Sequence, residues 1–346
     1  MSETTKDGPQ RISAIDQLRG YAIFGMLVVN AKGLFGLSHE QISHHRDFFT
    51  YADTIAPLFL FVVGMGMRLS WIRRSAHSDA GSARKAMIKR YGTLVLIAFA
   101  IYAGWLWDAL MDIGLAGLLA VWVIDKKPQV RVLAAFVLVG LYQLIVMYSF
   151  YGDWIMRVDG IPAIDSHLIV RLIPLHGELF DVRINGGPLG PLSWCMMLLF
   201  GTLAYDLLAA RDEKKFIAGC VGWGLGLCAL GYALHVPWGE TKPEWAISAY
   251  YMTAPFPLWA TGLCFLQLLA FYVVCDKFGF SIPTFAAVGM NPLFIYILQS
   301  LLLDVLEGFD MPAMSLPVGI VGFLLFYGCF AALALWMQRR RIYIKL

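Results

Sequence analysis

The chain is predicted to be an all-α, polytopic membrane protein of about ten transmembrane helices. Of its 346 residues, 59% are hydrophobic and only 15% charged, and the mean hydropathy is +0.66. A soluble chain carries about 25% charged residues, so folding this one in water would leave a core with almost no shell. The apolar runs approach the roughly 20 residues that a bilayer requires. Charge is also one-sided: all but six of the 27 Lys and Arg fall in alternate connections between those runs.

The spans lie at roughly 15–33, 53–72, 91–108, 111–125, 130–149, 189–209, 216–235, 250–275, 284–305 and 315–337. The first opens on Asp16 and Arg19 and closes on Asn30 and Lys32. It is expected to be a retained helix, because Asp16 stands just before its apolar run and no small-residue cleavage site follows. The second opens on Asp53. The third follows the basic run Arg84–Arg90, and the short fourth begins in the acidic turn Asp108–Asp112. The fifth follows Lys126 and Lys127. The sixth begins after the turn NGGPLGP, and the seventh follows Lys214 and Lys215. The eighth contains Pro255 and Pro257. The ninth, within GMNPLFIYILQSLLLDVL, holds Asn291, Tyr296, Gln299 and Asp304. The tenth stops at Arg339–Arg341. No spacer separates soluble domains, so residues 1–346 form a single transmembrane domain.

The basic connections mark the cytoplasmic side. The other side keeps Lys32, Arg46, Arg157, Arg171, Arg183 and Lys242. An even number of spans then puts both termini in the cytoplasm. The far side carries a histidine loop (33–52), the Asp108–Asp112 turn, a long loop (150–188) and the loop 236–249. Trp105, Trp107, Trp154, Trp194, Trp238 and Trp245 near these edges read as an interfacial belt. The long loop holds Asp153, Asp159, Asp165, His167, His176, Glu178 and Asp181. It reads as a lid or collar over the far mouth, or as a surface appendage.

Several classes are excluded. The six cysteines all lie inside apolar runs and form no CxxC pair, which reads as packing rather than a disulfide framework or a zinc site. There is no P-loop, GxGxxG or HExxH. Positive-inside topology accounts for the basic residues without nucleic acid.

Polar groups at the helix mouths carry the candidate chemistry, since a carboxylate beside hydrocarbon is expensive. Asp16 and Arg19 are spaced for an i,i+3 pair, and Asp16 also suits a helix N-terminus. Arg19 can equally meet an anionic group such as a phosphate. Asn30 can bond another helix or orient a substrate. His44 and His45 stand nine and eight residues before Asp53. Histidine exchanges a proton near neutral pH, and a carboxylate can fix its tautomer. These residue types fit acyl transfer; a solvated loop followed by a helix cap at Asp53 is the alternative. Gln299 sits near mid-span, where an amide needs a partner or a cavity.

At these residues the chain resembles a known family. RISAIDQLRGYAIFGMLVVN resembles the D-x-[LF]-R-G…N opening of the transmembrane acyltransferases related to heparan-α-glucosaminide N-acetyltransferase, which include bacterial NagX-like relatives. HHRDFFTYADTIAPLFLFVVGMGM looks like that family's H-A-x-W-x-G-x-x-x-x-D-L-x-F-P-x-F-x-F-x-x-G. VGMNPLFIYILQ is similar to its G-M-N-x-[IL]-x-x-Y segment, and LWMQRRRIYIKL to its basic ending. The resemblance implies acetyl transfer from cytoplasmic acetyl-CoA, a co-substrate, to an amino sugar or related glycan acceptor across a bacterial cytoplasmic (inner) membrane. It implies that a loop histidine is catalytic, and Asp16, Arg19, Asn30, Asp53 and Asn291 match its motifs directly. Lys89 and Arg90 are expected to join Arg19 in holding the donor's phosphates, and Asn30, Asn291 and Gln299 to hold the acceptor.

The family's spacing from histidine to aspartate is ten residues. A one-residue deletion selects His44, whereas matching H-x-x-aromatic through Phe48 selects His45, the slightly favoured choice. The family tryptophan is absent, Gln299 stands where the animal enzymes carry histidine, and the D-P-E-G segment is GGPLGPLSW here. The implied partners are membrane lipids, acetyl-CoA and the acceptor, with a homo-oligomer also open. A transporter or flippase for a sugar or cell-envelope intermediate is the alternative function.

Overall fold

The computed structural model describes residues 13–46, 48–101, 107–156, 184–239, 241–309 and 314–344. Arg11, Trp105 and, within the long loop, Asp159, Asp165, His167, His176, Glu178 and Asp181 lie outside the described residues, and with them most of the expected lid. The described secondary structure is helical throughout. Six helices are long and apolar enough to cross a bilayer: Ala52–Ser75, Pro128–Tyr148, Gly187–Ala209, Glu213–His235, Pro255–Lys277 and Leu316–Arg339. The other predicted spans fall on helices that are more polar or shorter. The first coincides with α1 (Ser13–Ala31), whose opening carries Asp16, Gln17 and Arg19. The third lies in a helix that begins earlier, at Ala80, and holds Arg84, Lys85, Lys89 and Arg90. The fourth is a helix of 12 residues.

The chain divides into two compact units. One comprises residues 38–266. It holds α2 (Ala52–Ser75), α3 (Ala80–Ile101), α4 (Ala109–Ala120), α5 (Pro128–Tyr148), α6 (Phe150–Ile155), α7 (Gly190–Ala209), α8 (Glu213–His235) and most of α9 (Pro255–Phe271). Helix α7 is its centre and packs against α2, α4, α5 and α8. Every residue from Ser193 to Ala204 is buried, as expected of a helix that is apolar all round and enclosed by others. Its apolar window is 72% buried, against 22% for α8, which faces outward.

The approach of α2 to α7 rests on two glycines. A Cβ on Gly64 would lie 2.0 Å from the Leu198 carbonyl oxygen, and one on Gly201 would lie 1.9 Å from that of Phe61. Only bare backbone fits there, the small-residue packing that replaces a hydrophobic driving force between helices in lipid. Nearby, the ends of three helices converge on Asp206. Its carboxylate accepts from Arg68 Nε at 2.8 Å and from the buried Arg131. Arg68 also donates to the Ile124 carbonyl at 2.7 Å, and Arg131 to the Thr202 hydroxyl.

The other unit joins the two ends of the chain, residues 1–37 and 267–345. Here α1 packs on α10 (Pro283–Val288), which also packs on α12 (Leu316–Arg339). A Cβ on Gly20 would meet the Phe285 carbonyl oxygen at 2.0 Å. Asp276 accepts from the Ser13 and Ala14 N–H groups, both at 2.9 Å, and so caps α1 from outside. The Gln17 amide donates to the Ile282 carbonyl and accepts the Ile282 N–H, each at 3.1 Å. The predicted ninth span is broken: α10 ends at Val288 and, after three intervening residues, α11 (Pro292–Glu307) begins. Pro292 supplies no N–H, so it suits a helix start and not an interior.

Candidate functional site

The histidine loop leads into α2 through a short 3-10 turn at Glu40–Ile42. His39 accepts the Gln41 N–H on its ring at 3.1 Å, and Gln41 in turn accepts the Tyr51 N–H at 3.2 Å. These bonds tie the 3-10 turn to the residue just before α2.

Asp53 is buried in that turn. Its Oδ1 lies 2.6 Å from His44 Nδ1. A carboxylate can only accept, so the hydrogen belongs on Nδ1 and leaves Nε2 as the basic nitrogen. Its Oδ2 accepts the Thr50 N–H at 2.9 Å. The Thr50 hydroxyl lies 3.1 Å from Oδ2 and 2.8 Å from the Ser43 carbonyl oxygen, which share its one hydrogen. Both carboxylate oxygens are thus engaged, and the orientation of Asp53 is fixed from two sides. The cap expected at Asp53 is realised in reverse: the carboxylate reaches back to Thr50, as in the second half of a capping box.

The loop therefore gives the carboxylate to His44, not to the slightly favoured His45. The His44 side chain remains 42% exposed, so a substrate can reach it. His45 instead stacks on Phe48, with ring centroids 4.3 Å apart and planes at 17°. Its Nε2 is buried without a hydrogen-bond partner. The H-x-x-aromatic pattern is real at this position, but it reports a ring stack rather than the dyad. Beside these residues Arg46 lies 5.1 Å over the Tyr250 ring, and Phe49 meets Phe256 and Trp259.

The remaining sequence candidates are placed as follows. Arg19 stands 3.9 Å from Asp16, as their i,i+3 spacing predicts, and donates to the Gly289 carbonyl at 3.3 Å. Lys89 and Arg90 are exposed on α3, Arg90 over the Tyr91 ring at 5.7 Å. Asn30 is exposed in the last turn of α1. Asn291, expected to hold acceptor, is committed elsewhere. Its amide donates to the Ile342 carbonyl at 3.0 Å and accepts the Ile344 N–H at 2.8 Å, so it clamps the C-terminal segment at the helix break. One amide hydrogen and one oxygen lone pair of Asn291 are thus committed to backbone beside the basic terminus. Gln299 is fully buried, and neither amide atom has a partner.

Sequence reasoning missed Thr50, Gln17 and Asp276. The signal for Thr50 was available in the T-x-x-D spacing of Thr50 and Asp53. Gln17 and Asp276 meet partners more than 260 residues away in sequence, and no local pattern marks them. Among the described residues no group of three His, Cys, Asp or Glu could hold a metal ion.

The described helices are those of a multi-pass membrane protein, and a His–Asp pair stands at the mouth of one of them. The family model described as heparan-alpha-glucosaminide N-acetyltransferase, catalytic, matches residues 11–180, and the chain is related to that family. The matched stretch contains α1, the histidine loop and α2 to α6; Asn291 and Gln299 lie outside it. No curated protein matches the chain.

Proposed function

We propose that the protein transfers an acetyl group from cytoplasmic acetyl-CoA to an amino sugar or related glycan acceptor on the extracytoplasmic side. The observation that carries this reading is the 2.6 Å contact of His44 with a buried Asp53 whose second oxygen is itself pinned by Thr50. In this mechanism His44 Nε2 removes a proton as the acceptor nitrogen attacks the thioester carbonyl. The C–N bond forms, the C–S bond breaks, and the leaving thiolate takes the proton back from the imidazolium. Asp53 holds the ring and stabilises its charged form. Arg19, oriented by Asp16, meets the donor's phosphates. His45 shapes the loop by its stack on Phe48, and the buried amide of Gln299 holds a polar group of the substrate.

Purified protein in detergent, given labelled acetyl-CoA and glucosamine, tests the reading. Wild type transfers label, His44→Ala and Asp53→Asn lose on the order of 10²-fold or more in kcat, and His45→Ala stays within about tenfold. Acetyl exchange between labelled and unlabelled CoA without acceptor would move the acetyl group onto the histidine as a covalent intermediate. The break between α10 and α11 favours one second reading, since discontinuous helices line transporter sites. Absence of transfer together with sugar-dependent uptake into vesicles selects it.

A further inference from the structure

Asp112 is fully buried, and neither of its carboxylate oxygens has a hydrogen-bond partner. It lies in the first turn of α4, one turn before Ala116, whose carbonyl accepts the Cys195 thiol of α7. Positions four apart share a helix face, so Asp112 lies on the face of α4 that packs against α7. The groups within electrostatic range are Asp108, Tyr142 and Tyr151. None of them donates to it. The Tyr142 hydroxyl is spent on the carbonyls of Tyr251 (2.7 Å) and Gly186 (3.2 Å). The Tyr151 hydroxyl donates to the Gly186 carbonyl and accepts the Leu189 N–H at 3.0 Å. Asp108 accepts the Ala109 N–H at 2.7 Å.

No Lys, Arg or His is paired to Asp112 among the described residues, and the Tyr142 and Tyr151 hydroxyls, which act on it through the field and not by contact, point their hydrogens to carbonyls. An unpaired carboxylate taken out of water costs several kcal/mol. A positive charge seated on its two empty oxygens removes that cost, and a carboxylate oxygen is the hard donor that small cations take. Asp108 is engaged by the Ala109 N–H, so the two empty oxygens of Asp112 offer one negative charge and match one positive charge, not two. We propose that Asp112 is a binding site for a small monovalent cation, either a free ion such as sodium or potassium or the ammonium group of an amine. The site stands apart from the transfer reaction and does not depend on it.

The test is thermal unfolding of the full-length protein in nanodiscs of neutral lipid, without acetyl-CoA. Sodium, potassium and choline chloride are titrated at constant ionic strength, and glucosamine is compared with neutral N-acetylglucosamine. The expected result is a saturable rise in Tm of roughly 2 °C or more over the matched control. The rise disappears in Asp112→Asn, with Asp112→Ser as a second neutral variant should the first not fold. A response to sodium or potassium identifies a free ion, and a response to glucosamine alone identifies an ammonium group. No saturable rise in wild type with sodium, potassium or glucosamine overturns the proposal, as does a rise that survives in the neutral variants. Because the readout is not activity, failure here leaves the transferase reading standing, and failure of that reading leaves this one.

Discussion

His44 and Asp53 show how a single carboxylate decides between neighbouring histidines. Spacing and the H-x-x-aromatic pattern lean slightly to His45 over His44, because a one-residue shift in a loop costs almost nothing in sequence terms. The choice is made by Thr50, which turns Oδ2 toward its own backbone and leaves Oδ1 for His44. Thr50→Val keeps the backbone donor and removes the hydroxyl, so it is expected to lower kcat severalfold without abolishing turnover, as steady-state acetyl transfer would show. Asp53→Asn keeps the shape, but its amide can present the wrong group to Nδ1, which is why the larger loss is expected there. Asn291 teaches the opposite lesson. It matches a motif, yet its amide is engaged on both sides by the Ile342 and Ile344 backbone, a pairing across some fifty residues that the motif does not reveal. Asn291→Ala is therefore expected to loosen the C-terminal segment, read as faster proteolysis after Arg339, with little change in KM for acceptor.

Helix positions were legible because lipid tolerates few alternatives to an apolar helix; their breaks and contacts were less so. Pro292 marks the interruption of the ninth span, but hydropathy reads through it. The glycines of α2 and α7 are indistinguishable in sequence from the many others, and only geometry separates them. Gly64→Ala and Gly201→Ala drive a methyl into a carbonyl oxygen 2.0 and 1.9 Å away, so the helices must part at a cost of about 1–3 kcal/mol or more. Gly140→Ala, on α5 with nothing within 4 Å, is the control expected to leave Tm unchanged or raised. At the start of α8, Asp212 is held below the ordinary carboxylate value, first by the Lys215 N–H and then by the Lys215 side chain. A depressed native value stabilises the fold above the unfolded-state value and is lost as pH falls through the native one. Asp212→Asn should accordingly flatten the acid limb of a Tm-against-pH curve and leave the neutral plateau nearly level.

Among the larger features, membrane residence and helical architecture followed directly from composition, and the match over residues 11–180 agrees with the family resemblance drawn from α1 and the histidine loop. The division into two units did not, because it depends on which distant segments meet. The unit of residues 38–266 is tied at one end by Asp206, which serves two arginines on two other helices. Asp206→Asn leaves Arg131 buried with a weakened partner, and removal of one member of such a pair costs about 3–5 kcal/mol. Circular dichroism melts should show that loss, and Arg68→Lys, at the more exposed partner, should show much less.

The pairing of α1 with α10 carries a consequence for how the protein is made. Gly20 must lie against Phe285, and the start of α1 against Asp276, so the first helix finds its partners only after the ribosome has passed residue 289. At 5–20 residues per second, α1 waits in the bilayer for roughly ten to fifty seconds while the middle of the chain is inserted and folds. An emerging chain stopped at Leu266 would hold an N-terminal helix that has no docking surface from its own unit, exposed to whatever handles unassembled helices in the membrane.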